Sequence, residues 1–245
     1  VTTHLMIPDC QVKVGTPNCH IHALARLITE HRPDVIVNIG DFWDMESLSS
    51  YASLQEQENR RYQEDIDAGN RAMDILNNAI AKIPKYNPQL VFTIGNHEHR
   101  IQRAIEKNPI ELDGVIGYDD FSLDMWTVYD FQDIAEIDGV AYTHFIANPM
   151  SGKPIGGSID NRLKQAGFSF STGHQQTYQY GIKSLNNGAT IHGLVAGSFY
   201  LHDEGYKGPQ GNNHWRGVIW KNNVKDGEYD ISPMRMTSLL ERYGK

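Results

Sequence analysis

Three apolar runs early in the chain each stop at a polar cluster. Leu5-Met6-Ile7 gives way to Pro8-Asp9-Cys10-Gln11, Val35-Ile36-Val37-Asn38-Ile39 to Gly40-Asp41-Phe42-Trp43-Asp44, and Leu90-Val91-Phe92-Thr93-Ile94 to Gly95-Asn96-His97-Glu98-His99-Arg100. These runs predict strands over 4–9, 34–39 and 90–94, the second with the pattern of a central strand covered on both faces. Between them the period becomes helical. Thr16-Pro17 opens a helix that places Ile21, Leu24, Ala25 and Ile28 on one face, and Pro33 ends it. A long charged stretch from Leu54 to Ile83 repeats Ile66, Met73, Leu76, Ile80 and Ile83 at intervals of three, four and seven, with a Gln-, Glu- and Arg-rich first half facing solvent and a break at Gly69. Pro84 and Pro88 close it, and His97 to Lys107 reads as a further helix.

The second half changes character. Residues 108–133 read as acidic loops and short strands anchored by Trp126, Tyr129 and Phe131. Asp138-Gly139 joins 135–137 to 140–145 as a hairpin, because that pair tolerates the positive φ angles of a tight turn. After the loop from Ser151 to Gly157, a helix is expected near 158–166 and a strand over 168–172 that ends at Gly173-His174-Gln175-Gln176. The rest, about 178–245, reads as mainly β, with hairpins turning at Asn187-Gly188 and Asp226-Gly227 between strands 178–184, 189–197, 216–221 and 227–231. Alternating strands and helices followed by hairpins predict an α/β fold in which two sheets are sandwiched by helices. The strand ends on one rim then converge, which is the physical reason to collect their polar residues into one site.

Composition narrows the partners. With 245 residues, 40% hydrophobic and 21% charged, the chain suits a single domain with an adequate core. A formal net charge of −8 leaves no cationic surplus for a broad grip on nucleic acid or an anionic membrane, although a local basic rim stays open. No apolar run approaches the ~20 residues of a membrane helix, and the first residues show no signal-type apolar core, so a cytoplasmic location is expected. Cys10 and Cys19 are too few for a disulfide framework and lack zinc-like pairing. Strand alternation sends Cys10 to the core.

The strand ends offer Asp9 and Gln11, Asp41 and Asp44, Asn96, His97 and Arg100, His144, and His174 and Gln176. Carboxylate, imidazole and amide oxygen are ligands for divalent manganese, magnesium, iron or zinc, and a carboxylate such as Asp41 can bridge two ions. Two ions roughly 3.5–4 Å apart hold a hydroxide and clamp phosphoryl oxygens.

In order and spacing these residues resemble the calcineurin-like metallophosphoesterases. That family's signature runs Asp-x-His, Gly-Asp-x-x-Asp, Gly-Asn-His-Glu or Asp, a lone His, and Gly-His-x-His. The counterparts here are Asp9-Cys10-Gln11, Gly40-Asp41-Phe42-Trp43-Asp44, Gly95-Asn96-His97-Glu98, His144 and Gly173-His174-Gln175-Gln176. More narrowly, the Pro8-Asp9-x-Gln11 start and the tail through Gly197-Ser198-Phe199-Tyr200-Leu201-His202 and Asn213-His214-Trp215-Arg216-Gly217 are similar to phage-encoded members. For those the location would be the host cytoplasm.

The resemblance implies a four-layer α-β-β-α sandwich with two mixed sheets, one or two divalent ions, manganese foremost, and phosphate-ester hydrolysis by a metal-held hydroxide. Asp41 would bridge, with Asn96, His144 and His174 completing one site, and Asp9, Gln11 and Gln176 joining Asp41 in the other. Gln11 and Gln176 stand where the family has histidine. An amide oxygen is a weaker, harder ligand, so this second ion binds loosely, favours magnesium or manganese over zinc, or waits for substrate. His97 would protonate the leaving oxygen, Asp44 would orient it, and Arg100 would hold a phosphate oxygen or cap its own helix. Glu98 and His99 receive no role. His202 and His214 are candidates for the substrate pocket, while His20, His22 and His31 are expected to face solvent. The substrate expected is a phosphodiester of a nucleotide or single-stranded nucleic acid. The alternatives are a phosphomonoester, or a degenerate binding module suggested by the two glutamines.

Overall fold

The computed structural model describes residues 1–50, 60–204 and 211–244. Strand β1 (Thr2–Ile7), helix α1 (Cys19–His31), strand β2 (Val35–Asn38), helix α2 (Tyr62–Ala81) and strand β3 (Gln89–Thr93) make two crossovers that leave the three strands parallel. Helices α3 (Arg100–Lys107) and α4 (Pro109–Leu112) precede β4 (Thr127–Tyr129), β5 (Ala135–Ile137) and β6 (Val140–Tyr142). Helix α5 (Ile159–Ala166), strands β7 (Phe170–Thr172), β8 (Tyr178–Ser184), β9 (Thr190–Ala196), β10 (Gly217–Lys225) and β11 (Glu228–Arg235), and helix α6 (Met236–Tyr243) follow. Two mixed sheets result, ordered β11-β10-β1-β2-β3-β4 and β5-β6-β7-β9-β8.

Alternation along the strands builds the layers. Met6, Val35, Val37, Val91 and Ile219 of the first sheet meet Ile137, Val140, Tyr142, Leu194 and Ala196 of the second. The opposite face of the first sheet, with Leu5, Ile7, Ile36, Leu90 and Phe92, packs under α1, α2 and α6 through residues such as Leu24, Leu76 and Leu239. Leu163 of α5 covers Ala141, Phe170 and Ile191 on the outer face of the second sheet. The order is helix, sheet, sheet, helix, the α-β-β-α sandwich expected. Both Asp-Gly turns form as anticipated, with φ of 51° and 81° at Asp138-Gly139 and 53° and 85° at Asp226-Gly227.

Several details differ from the sequence reading. Residues 51–59, which hold the start of the long helical stretch, lie outside the described residues. Gly69 breaks nothing; it sits within α2, where a methyl group would overlap the Trp43 indole. His20 is buried against Phe199 rather than solvated, while His22 and His31 are exposed. The helix expected from His97 starts at Arg100, because 96–99 form a turn. Strands β10 and β11 run further than anticipated, since Lys221 turns inward and Pro233 sits on an edge strand where its missing N–H is harmless. The chain then ends in α6, whose two turns are too short to register as a period in a stretch read as β.

Away from the rim, the layer between the sheets contains a polar chain. Lys221 Nζ, wholly buried, donates to Tyr142 Oη at 3.0 Å and lies over the Tyr142 and Tyr229 rings. Tyr142 Oη donates to His4 Nδ1 at 2.7 Å, and His4 Nε2 donates to Asp138 Oδ2 at 3.0 Å. Burial depresses the lysine well below its ordinary pKa and takes His4 down to about 4, despite Asp138.

Two outcomes follow from this packing. Gly69→Ala, which would gain about 1 kcal/mol of helix propensity on an open surface, should instead destabilise by about 2 kcal/mol through overpacking in a urea melt; an unchanged midpoint would show that Trp43 is not pressed against α2. For His4, the unfolded imidazole takes a proton near pH 6.5 and the folded one near 4, so the stability contributed by its neutral form is lost as pH falls through that window. Between pH 7 and 5 this group alone should remove about 2 kcal/mol, a loss absent from His4→Gln when the two proteins' urea midpoints are compared.

Candidate active site

The candidate residues follow the ends of five strands on one rim. Asp9 and Gln11 follow β1, Asp41 and Asp44 follow β2, Asn96 and His97 follow β3, His144 follows β6, and His174 and Gln176 follow β7. Backbone bonds lock the connecting turns together: Cys10 and Gln11 N–H both donate to the Asp41 carbonyl, at 3.0 and 2.8 Å, and Gly173 N–H donates to that of His144 at 3.0 Å. Gln11, Asp41, Asn96, His97, His174 and Gln176 line one cavity of about 410 Å³, together with Gln175, Thr177, Gly211 and His214.

At its floor four acceptor-type groups converge. Asn96 Oδ1 is 3.0 Å from His144 Nε2 and 2.6 Å from His174 Nδ1, and Asp41 Oδ2 is 3.3 Å from His144 Nε2. His144 Nδ1 lies 2.9 Å from the Ile39 carbonyl, to which its hydrogen points, so Nε2 turns a lone pair toward Asp41 and Asn96. That position attracts positive charge, from a cation or from a proton. Burial opposes that charge, but Asp41 and Asp9 overcome it and raise His144 to about 9. The Asp41 carboxyl, although buried, is drawn well below its usual range by His144 and His97, while burial and His144 lower His174 to about 4.

Asp9 and Gln11 are buried beside this group. Asp9 Oδ1 accepts the His174 N–H at 3.2 Å, but Asp9 Oδ2 and Gln11 Oε1 face no donor among the described residues. Burial pushes the Asp9 carboxyl up to about 6. Gln176 Oε1 accepts from Tyr200 Oη at 2.9 Å. Buried oxygens that face no donor, next to a crowd of lone pairs, are a chemistry that a divalent cation satisfies. The residues present therefore fit such an ion, most fully at Asp41, Asn96, His144 and His174.

His97 and Asp44 form a pair on the cavity wall. His97 Nδ1–H donates to the Asp44 carbonyl at 2.8 Å and lies 2.7 Å from Asp44 Oδ1, and His97 Nε2 lies 3.7 Å from Asp41 Oδ2. Burial disfavours the imidazolium, but Asp41 and Asp44 outweigh it and hold the pKa of His97 above its ordinary value. Arg100 donates to the carbonyls of Asp44 at 2.7 Å and Met45 at 3.2 Å, with its other terminal nitrogen 3.3 Å from His97 Nε2. His214 reaches the cavity through Tyr200 and Ser198. His202 does not line it: this side chain stacks on Tyr200 and bonds Glu204, which Lys13 joins to Asp44.

Two features escaped the sequence. Gln11, Asp41, His174 and Gln176 all have left-handed backbone, with φ of 42°, 51°, 64° and 56°. Such residues typically cost 1–3 kcal/mol each, and they cluster at functional sites. The second is Glu98, wholly buried, whose carboxylate accepts four backbone N–H groups: Asp41 and Gly95 on one oxygen, both at 2.9 Å, and Phe42 and Trp43 on the other, at 2.7 and 3.0 Å. Gly95 permits this approach, since any Cβ there would meet Asp41. Burial and the Asp41 charge push Glu98 up to about 7, against the four amides that favour its anion. Its donors lie up to 57 residues away, so only its place after Asn96 and His97 could have signalled it. His99 is structural, stacked on Phe131.

No protein-family model matches the chain, and no curated protein sequence does. Among solved structures it is similar to Yfce, a phosphoesterase from E. coli, at 11% identity and a TM-score of 0.44 over 96% of this chain and 99% of that one. It is also similar to a dimetal phosphatase from Danio rerio, at 10% identity and 0.47 over 96% of each chain. A third likeness is to the NAD nucleotidase of Haemophilus influenzae, at 12% identity and 0.39 over 96% of this chain and 50% of that one. These likenesses concern architecture. No helix among the described residues is long and apolar enough to cross a membrane.

Glu98→Gln replaces one acceptor oxygen with an NH₂ that faces amide donors, leaving at least one buried N–H unmet. The variant should lose about 3 kcal/mol in chemical denaturation, and wild-type stability would show that the two turns hold each other without the carboxylate.

Proposed function

We propose that the chain is a metal-dependent phosphoesterase, with residues 1–245 forming a single domain. The observation that carries this reading is the juxtaposition, at one cavity, of a lone-pair-rich cluster and an independently oriented imidazole: Asp41, Asn96 and His174 with the buried His144 behind them, beside His97 and its partner Asp44. One or two divalent ions held by Asp41, Asn96, His144 and His174, and by Asp9, Gln11 and Gln176, would neutralise phosphoryl oxygens and activate the attacking water. Manganese suits this mixture of carboxylate, amide and imidazole, with magnesium, iron and zinc as the other choices.

The protein groups do the rest. Asp44 fixes the His97 tautomer with hydrogen on Nδ1, and the neighbouring carboxylates favour a second proton on Nε2. That proton passes to the departing oxygen. Arg100 lies 3.3 Å from Nε2, so protonation of His97 releases one guanidinium nitrogen for an oxygen of the substrate. His214, held by Tyr200 and Ser198, lines the far wall of the cavity, where the remainder of the substrate rests. We favour a phosphodiester over a monoester on the sequence pattern, and a nucleotide or single strand over long duplex in keeping with the acidic net charge of −8. The kinship with phage-encoded members and a cytoplasmic setting rest on the sequence pattern alone, and part of that tail, 205–210, lies outside the described residues.

The test is a metal-supplemented screen of aryl and nucleotide mono- and diesters. His97→Ala should reduce kcat by about 10²–10⁴-fold with metal content retained; unchanged turnover would remove His97 from its role. Bound metal with no ester hydrolysed would favour the binding module that Gln11 and Gln176 suggest.

A further inference from the structure

Beside the site lies a second cavity, of about 240 Å³, between the turn at 47–50 and one face of helix α3. Arg100, Arg103 and Lys107 line it, at intervals of three and four that put their side chains on one stripe. Among the described residues no Asp or Glu lines it, in a chain with 30 acids and 22 Lys and Arg. Among the described residues neither Arg103 nor Lys107 forms an ion pair. Arg103 donates to the Asn96 carbonyl at 3.1 Å, and Arg100 lies 3.3 Å from His97 Nε2 and 3.9 Å from Asp44 Oδ1. The basic cavity thus adjoins the phosphoesterase site through the two residues that would bind metal and protonate the leaving group.

His97 supplies direction. The edge of its ring nearest the developing alkoxide, at Nε2, is the edge that Arg100 touches from the second cavity. A leaving group protonated there is directed along α3. The stripe continues for seven residues beyond Arg100, roughly 10 Å at 1.5 Å per residue, enough for one further anionic group but not for a long duplex. Arg100 has Asp44 Oδ1 at 3.9 Å, but Arg103 and Lys107 have no ion-pair partner among the described residues, and like charges so placed repel one another and are relieved by a bound anion.

We infer that the cavity lined by Arg103 and Lys107 is a leaving-group subsite for a second phosphate, so that the preferred substrate is a phosphodiester whose departing alcohol carries another phosphate. The inference rests on the phosphoesterase reading above and narrows its substrate. An oligonucleotide strand supplies such a group, and so does a small phosphorylated alcohol.

Thymidine dinucleotides phosphorylated at the 5′ end, at the 3′ end or at neither separate the possibilities. The wild type should cleave one phosphorylated form at least about tenfold better in kcat/KM than the bare dinucleotide, and the preferred end identifies the leaving oxygen. Lys107→Glu and Arg103→Gln, checked for folding by thermal melt, should bring that ratio toward one. The slope of log kcat/KM against log salt should become shallower by about 0.7 for each phosphate that the variant no longer neutralises. A wild-type ratio near one, or a ratio unchanged in both variants, overturns the subsite. An aryl diester whose alcohol carries a phosphate but no nucleoside then tells a small substrate from a strand. If no ester at all is hydrolysed, the phosphoesterase reading fails separately. The cavity is then judged by the binding of labelled oligothymidylate in EDTA, where Lys107→Glu should weaken affinity about tenfold and equal affinity overturns the inference.

Discussion

One buried carboxylate holds together the two turns of the rim that carry Asp41, Asn96 and His97. Glu98 gathers amides from the turn after β2 and the turn after β3, and through them sets where Asp41, Asn96 and His97 point. The constraint is reciprocal. Asp41 Oδ1 accepts the His97 N–H at 2.9 Å, so the residue proposed to bridge the metals also shapes the turn that carries the proposed acid. Backbone hydrogen bonds thus fix the turns, and the carboxylates and imidazoles they carry attract one another across them.

This arrangement explains why the site lies at the ends of strands. Parallel strands deliver neighbouring turns to the same edge of a sheet, and two packed sheets deliver two such edges to one rim. His144 and His174 come from the second sheet, yet His144 hydrogen-bonds the Ile39 carbonyl of the first. The electrostatics then follow from burial. Carboxylates and imidazoles taken out of water shift one another in opposite directions, as Asp41 and His144 do.

How much of this could be read beforehand depended on whether the information was local. The apolar runs ending at Asp9, Asp41 and Asn96 revealed the central strands and the candidate site, because strand burial and the residue after it are both local facts. The Asp138-Gly139 turn was equally local. What could not be read required partners distant in the chain. Gly69 looks like a helix breaker until Trp43 is placed against it, His20 looks solvated until Phe199 covers it, and Glu98 looks idle until its amides arrive. The cations of α3 were visible as residues, but their shared face and the cavity it borders belong to the fold.

Trp43 lies one residue from Asp44 and two from Asp41, and it is fully buried among Phe42, Phe92 and Phe121. The turn that carries the candidate ligands is therefore built from core side chains rather than from a surface loop. Loops that bind ligands usually open at free energies far below that of global unfolding. Here, freeing Asp41 and Asp44 means extracting an indole from between a helix and a sheet. Local opening of this turn and collapse of the hydrophobic layer are a single cooperative event, and the site persists for as long as the fold does.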